Sequence, residues 1–284
     1  MKTKLDYFDN LLLDSIKHKS HRCERFPHHL YYSDEYAERI KEYFDNANPR
    51  INSLEVNVDK KYGNIPICAF GSSGRLCYLD FLNRFKEGKV KSITFELPIE
   101  NDHTKSDANT KMDAVDLENG VYYECKCQEV RHKSKDGLKA SYKEYSNLFN
   151  EIGIKNYLPN DKKGCLQFRV SELGIKLDGD PIYTKLHFDV KQLICHIIAL
   201  ANIKDGKKKK LNYVIYKPNQ KLIDKKRYAR KLYEELDIEC KAIFAENTKI
   251  RKFCKSNGIE LNHEPEYVFI ETIYDFNYLE TKWK

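Results

Sequence analysis

The stretch Thr110–Gln128, TKMDAVDLENGVYYECKCQ, decides how this chain is read. Asn119-Gly120 stands between two β-prone runs, the strongest short-range signal for a hairpin. With Asn119 and Gly120 as the two central residues of a tight turn, Val115 faces Glu124 and Asp113 faces Lys126. Directly opposed residues project from the same face of a sheet, and that face alternates with period two. Asp113, Glu124, Lys126 and Gln128 therefore share one face, and Asp116, Cys125 and Cys127 project from the other. A turn longer by one residue would exchange Asp113 for Asp116, because a one-residue slip flips every side chain.

Two carboxylates and a lysine on one face suit phosphodiester hydrolysis. Mg²⁺ prefers oxygen ligands, takes few of them from a protein and keeps several waters. Asp113, Glu124 and the backbone carbonyl of Cys125 are the expected ligands. A bound metal lowers the pKa of its water and stabilises charge growing on a phosphate. Lys126 would orient or deprotonate that water, or neutralise the developing oxyanion. Gln128 would position the water or a phosphate. The same residues could equally form a salt bridge on a solvated sheet face, so the rest of the chain has to decide.

The segment resembles the PD-(D/E)xK nuclease superfamily, with its restriction-endonuclease-like fold. Asp113 stands at the first acid of that motif and Glu124-Cys125-Lys126 at its (D/E)xK; Met112 replaces the proline. More narrowly, the chain resembles a group of bacterial restriction-endonuclease-like sequences. Gly71-Ser72-Ser73 parallels a Ser-Ser-Gln element, although Gly74 and Arg75 replace the Gln-led continuation. Thr110–Glu129 parallels a T-x-x-D … E-x-K-x-x-E block, and Gln192-Leu193 with His196 parallels a Q-L-x-x-H helix. The resemblance implies an α/β mixed sheet with an α-β-β-β-α-β core. It also implies a Mg²⁺-dependent DNA endonuclease, Mn²⁺ substituting, of restriction or another defence role. Double-stranded DNA is the implied substrate, and a homodimer is a common arrangement. The alternatives are a non-catalytic nucleic-acid-binding protein of the same fold, or a nuclease acting on RNA or repair intermediates.

The pieces of that core occur in order. Ser72 or Ser73 can cap a helix over Arg75–Lys86, with Leu76, Leu79, Leu82 and Phe85 on one stripe and Gly88 ending it. Lys89–Ile99 then alternates, with Ile93, Phe95, Leu97 and Ile99 opposite Ser92, Thr94 and Glu96. Glu96 is a candidate further metal ligand. After the hairpin, Phe188–Ile203 reads as a long apolar helix, and Leu211–Tyr216 as a buried strand closed by Pro218. Gln192 and His196, four apart, share one face of that helix; the face could look over the site or the DNA, and a satisfied helix-surface histidine fits His196 equally well. His187, His103 and the His28-His29 pair have no spacing that singles them out, and structural roles suit them.

The appendages read as follows. Residues 1–68 form an N-terminal appendage with helices at Asp6–Lys17 and Ser33–Phe44 and strand-like stretches at Leu54–Val58 and Ile65–Phe70. The nuclease core spans 69–220 with an insertion at 129–187, which includes a helix at Lys139–Ile152. Residues 221–284 add a basic helix (Lys221–Leu236), a strand around Cys240–Ala245, a short helix around Thr248–Asn257 and a last β-prone run, Tyr267–Tyr274.

Whole-chain properties agree. The 284 residues are 41% hydrophobic and 33% charged, with a net charge of +7. A basic balance of this size suits a nucleic-acid partner. Arg131 and Lys133 leave the central strand, and Lys207 and Lys208 open a lysine run; these are candidate phosphate contacts. Nine cysteines without a CxxC pair read as free, buried thiols. No apolar run approaches the ~20 residues of a membrane span, and the start MKTKLDYFDN lacks an apolar leader. The expected setting is cytoplasmic. No P-loop, GxSxG or HExxH motif points elsewhere.

Overall fold

The computed structural model describes residues 20–22, 30–32, 73–99, 110–131, 133, 137–138, 146–155 and 166–273. The N-terminal helices and strands expected before residue 71, and the first half of the helix expected at 139–152, lie outside them, apart from a short antiparallel pair, β1 (Ser20–Arg22) and β2 (Leu30–Tyr32).

The hairpin forms where Asn119-Gly120 predicts it, with a different turn. β4 (Thr110–Asp116) and β5 (Val121–Lys126) are joined by Leu117–Gly120, and Asp116 pairs with Val121. Asp116 accounts for the longer connection. Its carboxylate accepts the backbone N–H and side-chain amide of Asn119 and the N–H of Lys91, so it belongs to the turn. Gly120 takes a positive φ of 65°. Relative to a two-residue turn the register shifts by two, which preserves which face each residue occupies.

β3 (Thr94–Ile99) pairs antiparallel with β4. On the other side β5 pairs in parallel with β6 (Lys209–Lys217), from Val121↔Lys210 to Lys126↔Ile215. The far edge of β6 is shared by two short parallel strands, β7 (Ile259–Leu261) and β8 (Glu266–Phe269). The result is a six-stranded mixed sheet in an α/β architecture. β6 is buried along most of its length, as a central strand with parallel neighbours must be.

Helices cover both faces. α1 (Ser73–Lys86) lies over the face bearing Tyr123 and Cys125: Phe81 meets Tyr123 edge-on and Tyr78 meets Phe95. Its buried residues include Leu76, Cys77, Tyr78, Asp80 and Phe81, and Leu79 packs partly buried against the core; the side chains of Leu82 and Phe85 lie outside the described residues. The Tyr216 hydroxyl donates to Asp80, and Arg84 bonds both Asp80 and Glu266, tying α1 to β8. The helix ends at Gly88 (φ 71°), where Lys89 N–H returns to the Arg84 carbonyl, the Schellman closure of a helix.

α2 (Ser146–Ile152) lies in the insertion. α3 (Val190–Asn202) covers the opposite sheet face, capped by Asp189, which accepts Gln192 N–H. It is buried nearly all round, from Val190 to Ala201. α4 (Gln220–Lys225) and α5 (Arg227–Ile243) replace the single basic helix expected there, breaking at Lys226. The strand expected around Cys240–Ala245 is instead the end of α5. Leu232, Leu236, Glu239, Cys240 and Ile243 continue its buried stripe at three- and four-residue spacing, a helical rather than a two-residue period. α6 (Lys249–Ser256) is capped by Thr248, and α7 (Ile270–Ile273) follows β8, so the last β-prone run splits into strand and helix. Among the described residues no helix is long and apolar enough to cross a membrane.

Candidate active site

The strand registers align one residue from each of four neighbouring strands. Phe95 pairs with Ala114 and Leu97 with Met112, which sets Glu96 opposite Asp113. Ala114 pairs with Tyr123, which sets Asp113 opposite Glu124, and Glu124 pairs with Tyr213. Glu96, Asp113, Glu124 and Tyr213 thus form a row across β3, β4, β5 and β6. Lys126 is two residues further along β5 on the same face.

Glu124 is the hub. It is buried, and its Oε1 receives the ammonium of Lys126 at 2.5 Å and the side-chain amide of Gln192 at 2.6 Å. Its Oε2 accepts no hydrogen bond; His196 Nε2 lies 3.5 Å away. Behind this, His196 Nδ1 is 2.9 Å from the Tyr213 hydroxyl. The His196 ring also hydrogen-bonds the backbone of Lys111, so it is held from β4 as well as from Tyr213. α3 brings in Gln192 and His196 together because they are one turn apart.

Asp113 Oδ2 accepts the backbone N–H of Cys125 at 2.7 Å. A strand residue directs its own N–H and C=O to the same side, so the Cys125 carbonyl also faces the Asp113 edge. The Cys125 thiol points to the opposite face, 3.6 Å from the Tyr216 hydroxyl. No disulfide joins any two of the six described cysteines.

Burial and like charge shape the titration of the row. Desolvation raises Glu124 to about 7, against the lowering pull of Lys126. Desolvation and the charge of Asp113 raise Glu96 to about 7. Asp113 is pushed well above the usual carboxylate range by burial and by Glu124. Lys126 is desolvated, yet Glu124, Glu129 and Asp113 hold its pKa above the ordinary lysine value, so it stays an ammonium. His196 falls to about 3, through burial and the nearby Lys126 charge, and is neutral. Glu96 also carries a backbone φ of +51°, the left-handed region, in mid-strand. Among the described residues its ion-pair partner is Lys111, with Nζ 4.0 Å away.

Other expected positions fall differently. β5 ends at Lys126 and Gln128 opens a 3-10 turn (Gln128–Arg131), so the strand alternation does not extend to Gln128. The side chains of Gln128 and Arg131 lie outside the described residues. Lys133 is exposed. Lys207 and Lys208 are exposed too, but next to Lys210, which pairs with Val121. They stand at the far end of β5 from Lys126, about 17 Å at the usual strand rise. Lys209 of the same run turns inward onto the carbonyls of Ile203 and Lys207 and onto Asp205. His187 is structural, bonding the Val130 carbonyl and Glu235.

Two contributors were not read from the sequence as site residues. Glu129 accepts Cys127 N–H and the Ser73 hydroxyl, clamping the end of β5 to the start of α1, and its charge acts on Lys126 and Glu124. Its signal was the final acid of the E-x-K-x-x-E spacing. Tyr213 had no local signal, because its register against β5 is set across a long connection.

Comparison with known proteins finds no matching family model, no matching curated protein and no matching solved structure.

Proposed function

We propose that this protein is a divalent-cation-dependent nuclease that hydrolyses phosphodiester bonds in DNA. The observation that carries the reading is the opposition of Asp113 and Glu124 on paired strands, with Lys126 one step along the same face.

The donor set suits Mg²⁺ or Mn²⁺. Asp113, Glu124 and the Cys125 carbonyl offer hard oxygens, and Glu124 Oε2 is a buried acceptor without a hydrogen bond. Among the described residues no three His, Cys, Asp or Glu side chains converge as a ready cage. A Mg²⁺ site needs none, since it keeps several waters. When bound, the cation supplies an acidified water and stabilises charge on the phosphate.

The chain's own groups do the rest. Glu124 is oriented through Oε1 by Gln192 and Lys126, while the neutral His196, held by Tyr213, packs beside its Oε2. Lys126 keeps its proton, which favours charge neutralisation and water orientation over base catalysis. Glu96 adds a third carboxylate to the row.

The test is incubation of wild type and Lys126→Ala with supercoiled plasmid and with single-stranded RNA, in Mg²⁺ or EDTA. Cleavage of plasmid by wild type alone, dependent on Mg²⁺, is the expected result, and Asp113→Asn should abolish it with the fold intact. Cutting that survives Lys126→Ala and Asp113→Asn would overturn the mechanism. RNA cleavage alone would change the substrate.

A further inference from the structure

Two basic groups lie at opposite ends of the sheet, and only one is at the end that carries Lys126. Because β5 and β6 run parallel, the Lys126 end of β5 is also the Ile215–Lys217 end of β6. α4 begins three residues beyond β6, and α5 follows at Arg227. Lys221 and Lys225 of α4 and Arg227, Arg230 and Lys231 of α5 are all exposed, with Asp224 the one acid among them.

A contact chain independently ties this surface to the site. The 3-10 turn after Lys126 ends near Val130, whose carbonyl holds His187 Nδ1 at 2.9 Å. His187 Nε2 reaches Glu235 of α5 at 3.2 Å, and Lys231 pairs with Glu235 one turn back at 3.6 Å. The exposed Lys133 acts electrostatically on Glu239 of the same helix. The basic face therefore borders the turn that leaves the catalytic strand.

The residue choice is also locally unfavourable. α5 starts with Lys226 at its N-cap, where no side chain caps it, then Arg227, with no acid in the first turn. Helix dipoles favour anions at that end. A sequence that breaks a local stability rule at one surface is often serving a ligand there.

We propose that the exposed face of α4 and the first turns of α5, around Lys225, Arg227, Arg230 and Lys231, binds the phosphate backbone of duplex DNA and holds it against the Lys126 end of the sheet. This rests on the nuclease reading. The Lys207-Lys208 pair lies outside the track.

The experiment compares wild type, Arg227→Glu/Arg230→Glu and Lys207→Glu/Lys208→Glu by fluorescence anisotropy. The probes are a labelled DNA duplex and a single-stranded RNA, with EDTA or Ca²⁺, over a range of salt. Both sites are exposed, and acids near a helix start favour the helix, so the α5 variant should melt no earlier than wild type. The expected result is at least about tenfold weaker duplex binding by that variant, with the slope of log affinity against log salt smaller by about 2. The Lys207/Lys208 variant should bind as wild type does. Equal loss in both variants, loss only in the Lys207/Lys208 variant, no duplex binding by wild type, or an effect on RNA alone overturns the proposal. Mn²⁺ binding to the same samples, followed by electron paramagnetic resonance, separates the two ideas. Mn²⁺ bound by wild type and lost in Asp113→Asn sustains the nuclease reading even if the surface fails.

Discussion

At the scale of single residues, Glu96 is the most informative side chain. A non-glycine residue at φ +51° in mid-strand is strained, and its carboxyl is raised to about 7 by burial beside Asp113. Both features work against stability and both suit a group awaiting a cation. Glu96→Gly should therefore stabilise the metal-free protein by about 1 kcal/mol in urea unfolding while weakening Mn²⁺ binding. Destabilisation with unchanged Mn²⁺ affinity would make Glu96 an ordinary sheet residue. Tyr213→Phe should remove the partner of His196 Nδ1 and destabilise by about 1–2 kcal/mol. It should also lower cleavage, because His196 loses its fixed orientation toward Glu124; loss of stability without loss of rate would limit Tyr213 to the core. Much of this site was legible. Asp113, Glu124 and Lys126 were joined by alternation alone, and Gln192 and His196 by helical spacing. Gln128 was not, because nothing local announces that β5 stops at Lys126 and turns into a 3-10 helix.

At the scale of elements, the hairpin keeps its faces through a change of turn. The turn is two residues longer than Asn-Gly alone suggests, since Asp116 spends its carboxylate on the turn's own N–H groups. A shift of two leaves every face unchanged, so Asp113, Glu124 and Lys126 still share a face although each partner across the hairpin differs. Gly120 is now the sensitive position. A Cβ there would lie 2.9 Å from the Lys208 carbonyl, on a backbone at φ +65°. Gly120→Ala should cost about 1–2 kcal/mol in a denaturant titration; a neutral result would mean that the Lys208 loop yields freely. Other elements were less legible where tertiary contacts rather than period decide. The buried Asp80, bonded by Arg84, is not announced by the apolar spacing of α1, and the short β7 exists through its pairing with β6. The end of α5 was read as a strand because Cys240–Ala245 is apolar and short, a length at which helix and strand look alike.

At the scale of the whole molecule, the crowded acids make stability depend on pH in a defined direction. Glu96 and Glu124 titrate near 7 when folded against an ordinary 4.5. Between those values the folded state binds more protons than the unfolded one, so stability falls as pH rises through that window. The metal-free protein should unfold at lower urea near pH 8 than near pH 5, and Glu124→Gln should flatten that difference. Mg²⁺ should recover stability at the higher pH. An identical pH profile in wild type and Glu124→Gln would remove Glu124 as the source. The same layout governs how the molecule comes to be active. Glu124 takes its amide partner from Gln192, 68 residues later, and its sheet neighbour Tyr213 later still. The hairpin is local and fast to close, whereas the parallel β5–β6 pairing must wait for a long loop to close. During synthesis and refolding, hairpin signals should therefore appear before any proposed cutting does, so that Asp113 and Glu124 meet their later partners only once most of the sheet is assembled.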